Sequence, residues 1–298
     1  MTATQAAAAY AGIELGGTKI LCRLVDAGGA PLAEGRFATS TPAQALADLT
    51  AFVREGVRGR ALTALGVASF GPIGLDPSGP DYGRLLATPK PGWAGFDLRG
   101  ALAARFPAPL ALDTDVNAAA LAEQACGAGQ GLASVAYVTV GTGIGAGLAL
   151  EGRALRGALH PEAGHLRLRR RAGDEAPSSC PFHEDCAEGL ASGPAVARRL
   201  ADGRSLAEDP RTFALVAAYL GDLAASLVLS WSPHRIVLGG GVMATAGLRA
   251  AVAEAMHAAL GDYLPRPARD PRYLSAPLLP DAGLEGALLL ARALGPRA

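Results

Sequence analysis

The chain has 298 residues, and its 27 Lys and Arg residues are matched by 27 Asp and Glu residues, so the formal net charge is zero. This length fits one large domain or two ordinary ones, and a chain this long, half of it apolar, can bury a core without disulfide support. The balanced charge gives no electrostatic reason to expect a nucleic acid or an anionic membrane as a partner. Four cysteines are too few for a disulfide scaffold. These features favour a soluble, cytoplasmic α/β protein.

Neither the start of the chain nor its apolar segments suggest export or membrane insertion. Residues 1–9 have no basic region and no true apolar core, so they do not resemble a signal peptide. We expect them to form a flexible, alanine-rich start. No apolar stretch reaches about 18 residues without a break, which argues against a transmembrane helix.

Strands and helices alternate along the chain. Apolar runs at 11–15 and 20–25, separated by glycines, predict two strands joined by a tight turn. Apolar residues at helical spacing after a Thr-Pro pair predict the first helix at 42–57. The remaining predicted strands are 65–68, 109–112, 134–140, 146–150 and 235–238, and the remaining helices are 96–106, 116–126, 212–230, 246–260 and 281–294. Residues 160–186 are predicted to be irregular.

A pattern of strand, glycine turn and strand occurs twice. The first turn contains Gly16, Gly17 and Thr18, and the second contains Gly141, Thr142 and Gly143. The repetition predicts two similar α/β lobes with a ligand cleft between them. The first lobe would span residues 1–115, completed by the C-terminal helix 281–298, and the second would span residues 116–280.

Both glycine turns are candidates for phosphate binding. Glycine lets the backbone approach a ligand closely, and exposed N–H groups in such turns bind anions. Neither turn matches the Walker or dinucleotide patterns, and each alone could be an ordinary tight turn. Their duplicated positions favour two turns that clamp a polyphosphate, with hydroxyl contacts from Thr18 and Thr142. Lys19 could contact a phosphate, but a solvated lysine at the start of a strand is the favoured interpretation.

The candidate catalytic base lies at the junction between a strand and a helix. Asp113 and Asp115 stand between strand 109–112 and helix 116–126, where carboxylates can cap a helix or do chemistry. We expect Asp113 to form structural hydrogen bonds. For Asp115 the two interpretations are close, and a lone carboxylate opposite phosphate-binding turns is what a kinase needs to accept the proton of a hydroxyl.

A cluster of cysteines and histidines indicates a metal site. Cys180, His183 and Cys186 lie within seven positions of the irregular segment. A fourth ligand, either His165 or His160, would complete two thiolates and two imidazoles, the tetrahedral set of a structural zinc site. Two thiolates are too soft a set for Mg²⁺ or Ca²⁺. The weaker alternative is unpaired cysteines and surface histidines.

Two further features leave alternatives open. The arginine-rich run at 167–171 favours a solvated strand face, since no interleaved aromatic residues suggest a nucleic-acid patch. Trp93 beside Lys90 could line a sugar or base pocket, or it could anchor a partly buried loop.

Together these motifs resemble the ROK family of sugar kinases. The resemblance rests on segments 14–19, 113–120, 141–145, 160–165 and 180–194, and it extends from about Gly12 to Gly241. Segments 70–73 and 88–93 are similar to the fructokinase branch of the family. The resemblance implies an actin-like ATPase fold of two ribonuclease-H-like lobes. It also implies a homodimer that transfers a phosphoryl group from ATP–Mg²⁺ to the 6-hydroxyl of a hexose, fructose above all.

By motif position, the resemblance implies roles for individual residues. Asp115 would be the catalytic base. The sugar would be held by Thr114, Glu162, His165 and Glu188, and one structural Zn²⁺ by His165, Cys180, His183 and Cys186. ATP would be bound by Gly16, Gly17, Thr18, Lys19, Gly141, Thr142, Gly143, Gly240 and Gly241. His165 would link metal and sugar, because zinc fixes one ring nitrogen and orients the other.

The sequence departs from the family pattern in two places. Many ROK hexokinases have Asn-Asp where this chain has Thr114 and Asp115, so a sugar contact changes or is lost, in keeping with the fructokinase branch. The spacing from His183 to Cys186 is shorter than the family pattern. The alternatives are a ROK hexokinase of broader specificity, acting on glucose, mannose or N-acetyl hexosamine, and a non-catalytic sugar-binding sensor. A repressor would need a helix-turn-helix domain before the first strand, where only about 11 residues stand.

Overall fold

The predicted strands are all present in the computed structural model, which describes residues 8–201, 203–263 and 270–295. Each of the seven predicted strands lies within a few residues of its predicted bounds. The strands are β1 (Ala8–Leu15), β2 (Lys19–Asp26), β3 (Pro31–Ala38), β4 (Ala61–Ser69), β5 (Leu110–Thr114), β6 (Ser134–Val140), β7 (Ile144–Leu150), β8 (Arg153–Ala154), β9 (Arg235–Gly239) and β10 (Leu274–Ser275). Residues 1–7 of the predicted flexible start lie outside the described residues. For Ala8 and Ala9 that prediction was wrong, because both belong to β1.

All six predicted helices are confirmed. The helices are α1 (Pro42–Gly56), α2 (Leu98–Ala103), α3 (Asp115–Cys126), α4 (Ala187–Ala191), α5 (Gly193–Ala197), α6 (Pro210–Trp231), α7 (Leu248–Leu260) and α8 (Ala282–Ala293). α1 shows the expected start: the Thr41 hydroxyl accepts a hydrogen bond from the Gln44 N–H, and Pro42 occupies the first turn.

Contacts divide the described chain into two compact units. The first unit comprises the chain up to Ala122, residues Ala154–His160, and the chain from Leu279 onward. The second unit comprises Glu123–Arg153 and Pro161–Leu278. Helix α3 therefore begins in the first unit and ends in the second.

The two units contain sheets of the same topology. The first sheet has the order β3-β2-β1-β4-β5, and the second has the order β10-β9-β6-β7-β8. In each, an antiparallel hairpin (β1–β2 or β6–β7) is extended on one side by a parallel strand, β4 beside β1 and β9 beside β6. The predicted duplication is thus confirmed at the level of strand order, and each glycine turn connects the two strands of its hairpin.

The C-terminal helix α8 packs against the first sheet, on β1 and β4. Close packing is possible because small residues line the contact. A side chain at Gly66 of β4 would collide with the backbone of Ala287, and one at Gly286 would collide with the backbone of Ala118 in α3. These contacts pack α8 closely against β4 and against the start of α3, the helix that begins at Asp115.

The elements that the sequence did not predict are an edge strand and several short pieces. Every second residue of β3, on average, is exposed, and the strand has no continuous apolar run. Its apolar pattern was therefore too weak to predict a strand. α4 and α5 have five residues each and contain glycine or proline, which masks helical periodicity. β8 and β10 have two residues each.

Helix α6 qualifies the prediction about membrane segments. It is long and apolar enough to cross a membrane by length and composition alone. However, 61% of its most apolar 18-residue window is buried inside the protein, as in a core helix of a soluble domain. Its buried residues include Val216, Leu220 and Leu223.

Candidate active site

The junction of β5 and α3 is built around a buried carboxylate. Asp113 is fully buried, and its Oδ1 accepts hydrogen bonds from the Thr114 N–H and the Asn117 side-chain amide, both at 2.8 Å. The Thr114 hydroxyl accepts the Asn117 backbone N–H at 3.1 Å, which caps α3. The structural role expected for Asp113 is therefore confirmed. A sugar contact from Thr114, which is only 2% exposed, stays a prediction.

A cation lies behind the same carboxylate. Arg156 places its Nε 3.4 Å from Asp113 Oδ2. Burial raises the pKa of Asp113, and the charge of Arg156 opposes that rise. His160 faces the same region, and its Nε2 accepts a hydrogen bond from the Ile73 N–H at 3.1 Å, which requires that nitrogen to be unprotonated. Sequence reasoning did not find Arg156, because nothing local marks it as a partner for Asp113.

Asp115 is the accessible residue of this junction. It is half-buried, whereas residues 112–114 and 116–120 are all buried. Its Oδ1 accepts the Val116 N–H at 2.9 Å, which orients the carboxylate at the start of α3. The side chain is thus fixed and open to solvent, the combination that a general base requires.

The first glycine turn is approached by a lysine from a distant loop. Lys90 donates a hydrogen bond of 2.6 Å from Nζ to the Gly17 carbonyl and lies over the Phe70 ring, 4.9 Å from its centre. Burial lowers the pKa of Lys90, and the charge of Asp115 opposes that shift. The turn, Lys90 and Asp115 therefore form one electrostatic group within the first unit.

Lys19, at the other end of the turn, faces acidic residues. Its Nζ lies 4.0 Å from Asp281 Oδ1, and both side chains are about two-fifths exposed. Burial raises the pKa of nearby Glu14, and Lys19 opposes this effect. The favoured interpretation of Lys19 as a partly solvated lysine agrees with this position.

The second glycine turn is held by Glu188 of α4. Glu188 Oε2 accepts the Ile144 N–H at 3.0 Å. A Cβ at position 143 would lie 2.5 Å from the same oxygen, so a side chain there would displace the carboxylate. The Gly141 carbonyl accepts the Gly193 N–H at 2.7 Å. The start of α5 and the side chain of α4 therefore fix this turn.

Two more of the predicted sugar ligands lie next to Glu188. Glu162 and His165 flank a short 3₁₀ turn, Ala163–His165, which packs closely on β7 because a side chain at Gly164 would collide with the Ile144 carbonyl. Glu162 keeps an exposed surface, yet desolvation by the surrounding protein and then the charge of Glu188 raise its pKa to about 7. The structure therefore groups Glu162, His165 and Glu188 within the second unit.

The four predicted metal ligands converge. One donor atom from each of His165, Cys180, His183 and Cys186 lies within 4.8 Å of every other. His165 Nδ1 is 3.7 Å from both sulfurs, and His183 Nδ1 is 3.6 Å from Cys180 Sγ. Tetrahedral zinc, with bonds of about 2.0–2.3 Å, holds sulfur and nitrogen about 3.6 Å apart. The set fits zinc, the short spacing does not prevent convergence, and His165 rather than His160 is the fourth member.

A cavity of about 500 Å³ opens beside Gly240 in the second unit. Its lining includes Gly239, Met243, Thr245, Arg249 and Pro277. Gly240 has φ +93°, and a side chain there would collide with the Val140 backbone. Gly241, the other glycine of this segment predicted to bind the nucleotide, follows Gly240 in the chain, and its contact with a nucleotide stays a prediction. Apart from the glycines, no local pattern marks these lining residues, because residues 238–250 and 276–277 meet only in the folded chain.

The arginine run connects the loop that contains Cys180, His183 and Cys186 to helix α6. Arg170 donates to the carbonyls of Ala176 and Glu184, both at 2.8 Å, and Arg171 pairs with Asp222 of α6 at 2.6 Å. Arg167 pairs with Asp185 at 2.7 Å. The predicted solvated strand face was wrong for Arg170 and Arg171, which hold an irregular segment in place.

Comparison with known proteins decides the family. The sequence model of the ROK family matches residues 10–294. The chain belongs to the ROK family. It is 36% identical over 282 residues to the fructokinase of Pediococcus pentosaceus, covering 94% of this chain and 96% of that protein. It is 38% identical over 293 residues to the fructokinase of Zymomonas mobilis, covering 95% and 96%.

A solved ROK structure has the same fold. The ROK hexokinase from Thermus thermophilus superimposes with a TM-score of 0.78 at 33% identity, covering 96% of this chain and 98% of that one. The predicted α/β, actin-like ATPase fold of this ROK protein is therefore confirmed.

Proposed function

We propose that this ROK protein is an ATP-dependent fructokinase that converts D-fructose and ATP into fructose 6-phosphate and ADP. The observation that carries the proposal is the similarity, over nearly the full length of the chain, to proteins named fructokinase. The half-buried Asp115, next to a lysine and a glycine turn, supports it with the groups that phosphoryl transfer needs.

In the proposed reaction Asp115 acts as the general base. Its carboxylate accepts the proton of the 6-hydroxyl as the sugar oxygen attacks the γ-phosphorus. The hydrogen bonds around Asp113 and Thr114 hold the start of α3, so the base needs little reorganisation during the reaction. Mg²⁺ enters with ATP as part of the substrate.

The proposed sugar ligands are Thr114, Glu162, His165 and Glu188. A Glu162 pKa of about 7 allows this side chain to donate or accept a hydrogen bond near neutral pH. His165 turns Nδ1 toward the two sulfurs and so leaves Nε2 for a sugar hydroxyl. The proposal that fructose is the preferred sugar rests on the similarity to proteins named fructokinase, and not on any one of these contacts.

The proposed nucleotide contacts follow the glycine turns. Gly16, Gly17, Thr18 and Lys19 in the first unit, and Gly141, Thr142 and Gly143 in the second, would contact phosphate through backbone N–H and hydroxyl groups. Gly240 borders the cavity of about 500 Å³, which has room for a nucleoside, and Gly241 follows it in the chain.

The proposed metal is one structural Zn²⁺ per chain, held by His165, Cys180, His183 and Cys186. When bound, it would tie the irregular loop together and fix the ring of His165. We further propose a homodimer in the cytoplasm, and lobes of residues 1–115 with 281–298 and residues 116–280.

The test is release of ADP from Mg²⁺–ATP with fructose, glucose, mannose and N-acetylglucosamine. A strong preference for fructose supports the proposal. Comparable turnover of several hexoses replaces it with the broader hexokinase, which the similarity to the Thermus protein favours as second candidate. A folded, zinc-loaded sample that binds a sugar but turns over none of them leaves the sugar-binding sensor.

A further inference from the structure

Lysine is nearly absent from this chain, and both of its lysines flank the same turn. Of 27 Lys and Arg residues, only Lys19 and Lys90 are lysine. Arginine serves at an ordinary solvated position, but its broad planar fork cannot replace a compact ammonium in a confined place. Lys19 directly follows Gly16, Gly17 and Thr18, and Lys90 reaches Gly17 from 73 residues further along the chain. Both lysines of the chain therefore lie at one turn, and Lys90 is the one whose ammonium contacts the backbone of that turn.

The ammonium of Lys90 occupies the space beside the turn. Its Nζ is 2.6 Å from the Gly17 carbonyl oxygen, and a Cβ at position 17 would lie 2.9 Å from the same Nζ. Glycine at position 17 thus makes room for the lysine. The face of Phe70 supports the ammonium from another side, at 4.9 Å from the ring centre.

The loop that carries Lys90 is firmly anchored. Trp93 is 1% exposed, its indole N–H donates to the Ser40 carbonyl at 2.8 Å, and its ring packs edge-on against Phe70 and Phe96. The Trp93 backbone N–H donates to the Lys90 carbonyl at 3.1 Å. Of the two roles left open for Trp93, the structure supports the anchor. Because Trp93 anchors the loop, the backbone that carries Lys90 is held in place.

The charge of Lys90 has no close carboxylate partner. In the described part of the chain, no ion pair of Lys90 lies within 4.0 Å, whereas Lys19 reaches Asp281 at that distance. Asp115 acts on Lys90 only through the longer-range interaction of their charges. An ammonium has three N–H donors, and the Gly17 carbonyl uses one. A donor and an unneutralised charge remain for an anion that enters beside Asp115.

We propose that Lys90 contacts the phosphoryl group in transfer, and that it is a catalytic residue of the reaction given under the proposed function, on which this inference rests. A bond forms between the fructose O6 and the γ-phosphorus, and the bond from that phosphorus to the β–γ bridging oxygen breaks. The hydroxyl proton goes to Asp115, and the electron pair leaves with ADP. Lys90 transfers no proton; its N–H donors neutralise the charge on the phosphoryl oxygens.

Kinetics of two variants test the contact. Lys90→Met removes the charge and keeps most of the length of the side chain. Lys90→Arg keeps the positive charge but replaces the compact ammonium with a planar guanidinium. We expect kcat with fructose to fall roughly 10²–10³-fold in Lys90→Met, with a smaller loss in Lys90→Arg. Thermal stability and the calorimetric Kd for fructose should stay at wild-type values. Arg36→Met, which removes an exposed cation from β3, is the control.

Chemical labelling gives a second readout that does not depend on turnover. Pyridoxal 5′-phosphate carries a phosphate and an aldehyde that forms an imine with a lysine, which borohydride then reduces. Because the chain has two lysines, peptide mass spectrometry compares both in one sample. We expect modification of Lys90 in preference to Lys19, and suppression of that modification by Mg²⁺–ATP.

The outcomes separate this proposal from the proposed function. If the wild type phosphorylates no hexose, the kinase assignment fails, and ATP-protected labelling still decides whether Lys90 lies at a phosphate site. If the wild type is active and Lys90→Met keeps its kcat, the proposal is overturned. A raised KM for fructose with unchanged kcat also overturns it, because Lys90 would then be a sugar ligand.

Discussion

The Glu188 carboxylate accepts a hydrogen bond of 3.0 Å from the Ile144 backbone N–H, at the point where the second glycine turn enters β7. This bond joins a proposed sugar ligand to a proposed phosphate-binding turn. It depends on Gly143, because a Cβ there would lie 2.5 Å from Glu188 Oε2. The position of the Glu188 carboxylate therefore depends on the lack of a side chain at residue 143.

Gly143→Ala should weaken sugar binding by displacing Glu188. Displacement of Glu188 away from the sugar removes one hydrogen bond to a charged group, about 1–2 kcal/mol, or roughly a tenfold rise in the Kd for fructose. Calorimetry without nucleotide measures it. Gly141→Ala is the matched control, since an added Cβ there meets nothing within 4 Å. Equal fructose affinity in the two variants would show that Glu188 does not depend on Gly143.

Asp115→Asn should abolish most turnover while leaving sugar binding largely intact. An amide keeps the shape of the side chain but cannot accept the hydroxyl proton, so we expect kcat to fall by about 10²–10⁴-fold. Fructose affinity should change by no more than a few-fold. Glu55→Gln, on an exposed position of α1, controls for loss of a carboxylate. Near-normal turnover in Asp115→Asn would remove this residue as the base.

Elemental analysis should find about one zinc per chain in the wild type and almost none in Cys186→Ser. Cys186 is fully buried, so its replacement also leaves a defective site at the start of α4. Loss of the metal should lower Tm by roughly 5–10 °C, because metal binding is linked to folding of the loop. Cys126→Ser, at an exposed cysteine outside the cluster, should keep both metal and Tm. A metal-free preparation with full activity and unchanged Tm would contradict the zinc assignment.

Asp174 should stabilise the folded protein at neutral pH, through the irregular segment that precedes Cys180, and this stabilisation should disappear in acid. Burial alone would raise its pKa, but hydrogen bonds from Arg199, at 2.8 and 3.0 Å, and from Tyr219, at 2.7 Å, lower it to about 2. A pKa below the ordinary 3.8 means that the folded state binds fewer protons. The stabilisation is therefore complete above about pH 4 and disappears as the pH falls toward 2.

Urea unfolding of Asp174→Asn checks this prediction. We expect a loss of about 1.5–3 kcal/mol at pH 7, the usual value for hydrogen bonds to a charged group, and a shrinking difference from wild type below pH 4. Asp270→Asn is the control, because Arg272 also lowers the pKa of Asp270 to about 2, but that pair is exposed. Exposed pairs contribute little. Equal effects of the two substitutions would show that burial of the Asp174 network is unimportant.

Local signals in the sequence determined the elements and the candidate ligands. Helical spacing and a Thr-Pro start fixed α1, and the repeated glycine turns indicated two units of one topology, as the strand orders show. Cys180, His183 and Cys186 indicated a metal site because their chemistry is set by residue type and short spacing. Such features depend on neighbours in the chain, so they can be predicted without the fold.

Only the tertiary structure decided which distant groups meet. It placed His165 Nδ1 3.7 Å from the sulfurs of Cys180 and Cys186, and it used Arg170 to hold an irregular loop. It also brought Lys90 to the turn at Gly17, 73 residues away. These contacts depend on which segments of the backbone can pack closely together and on which group of opposite charge lies near a buried charge. Composition and periodicity carry no information about either.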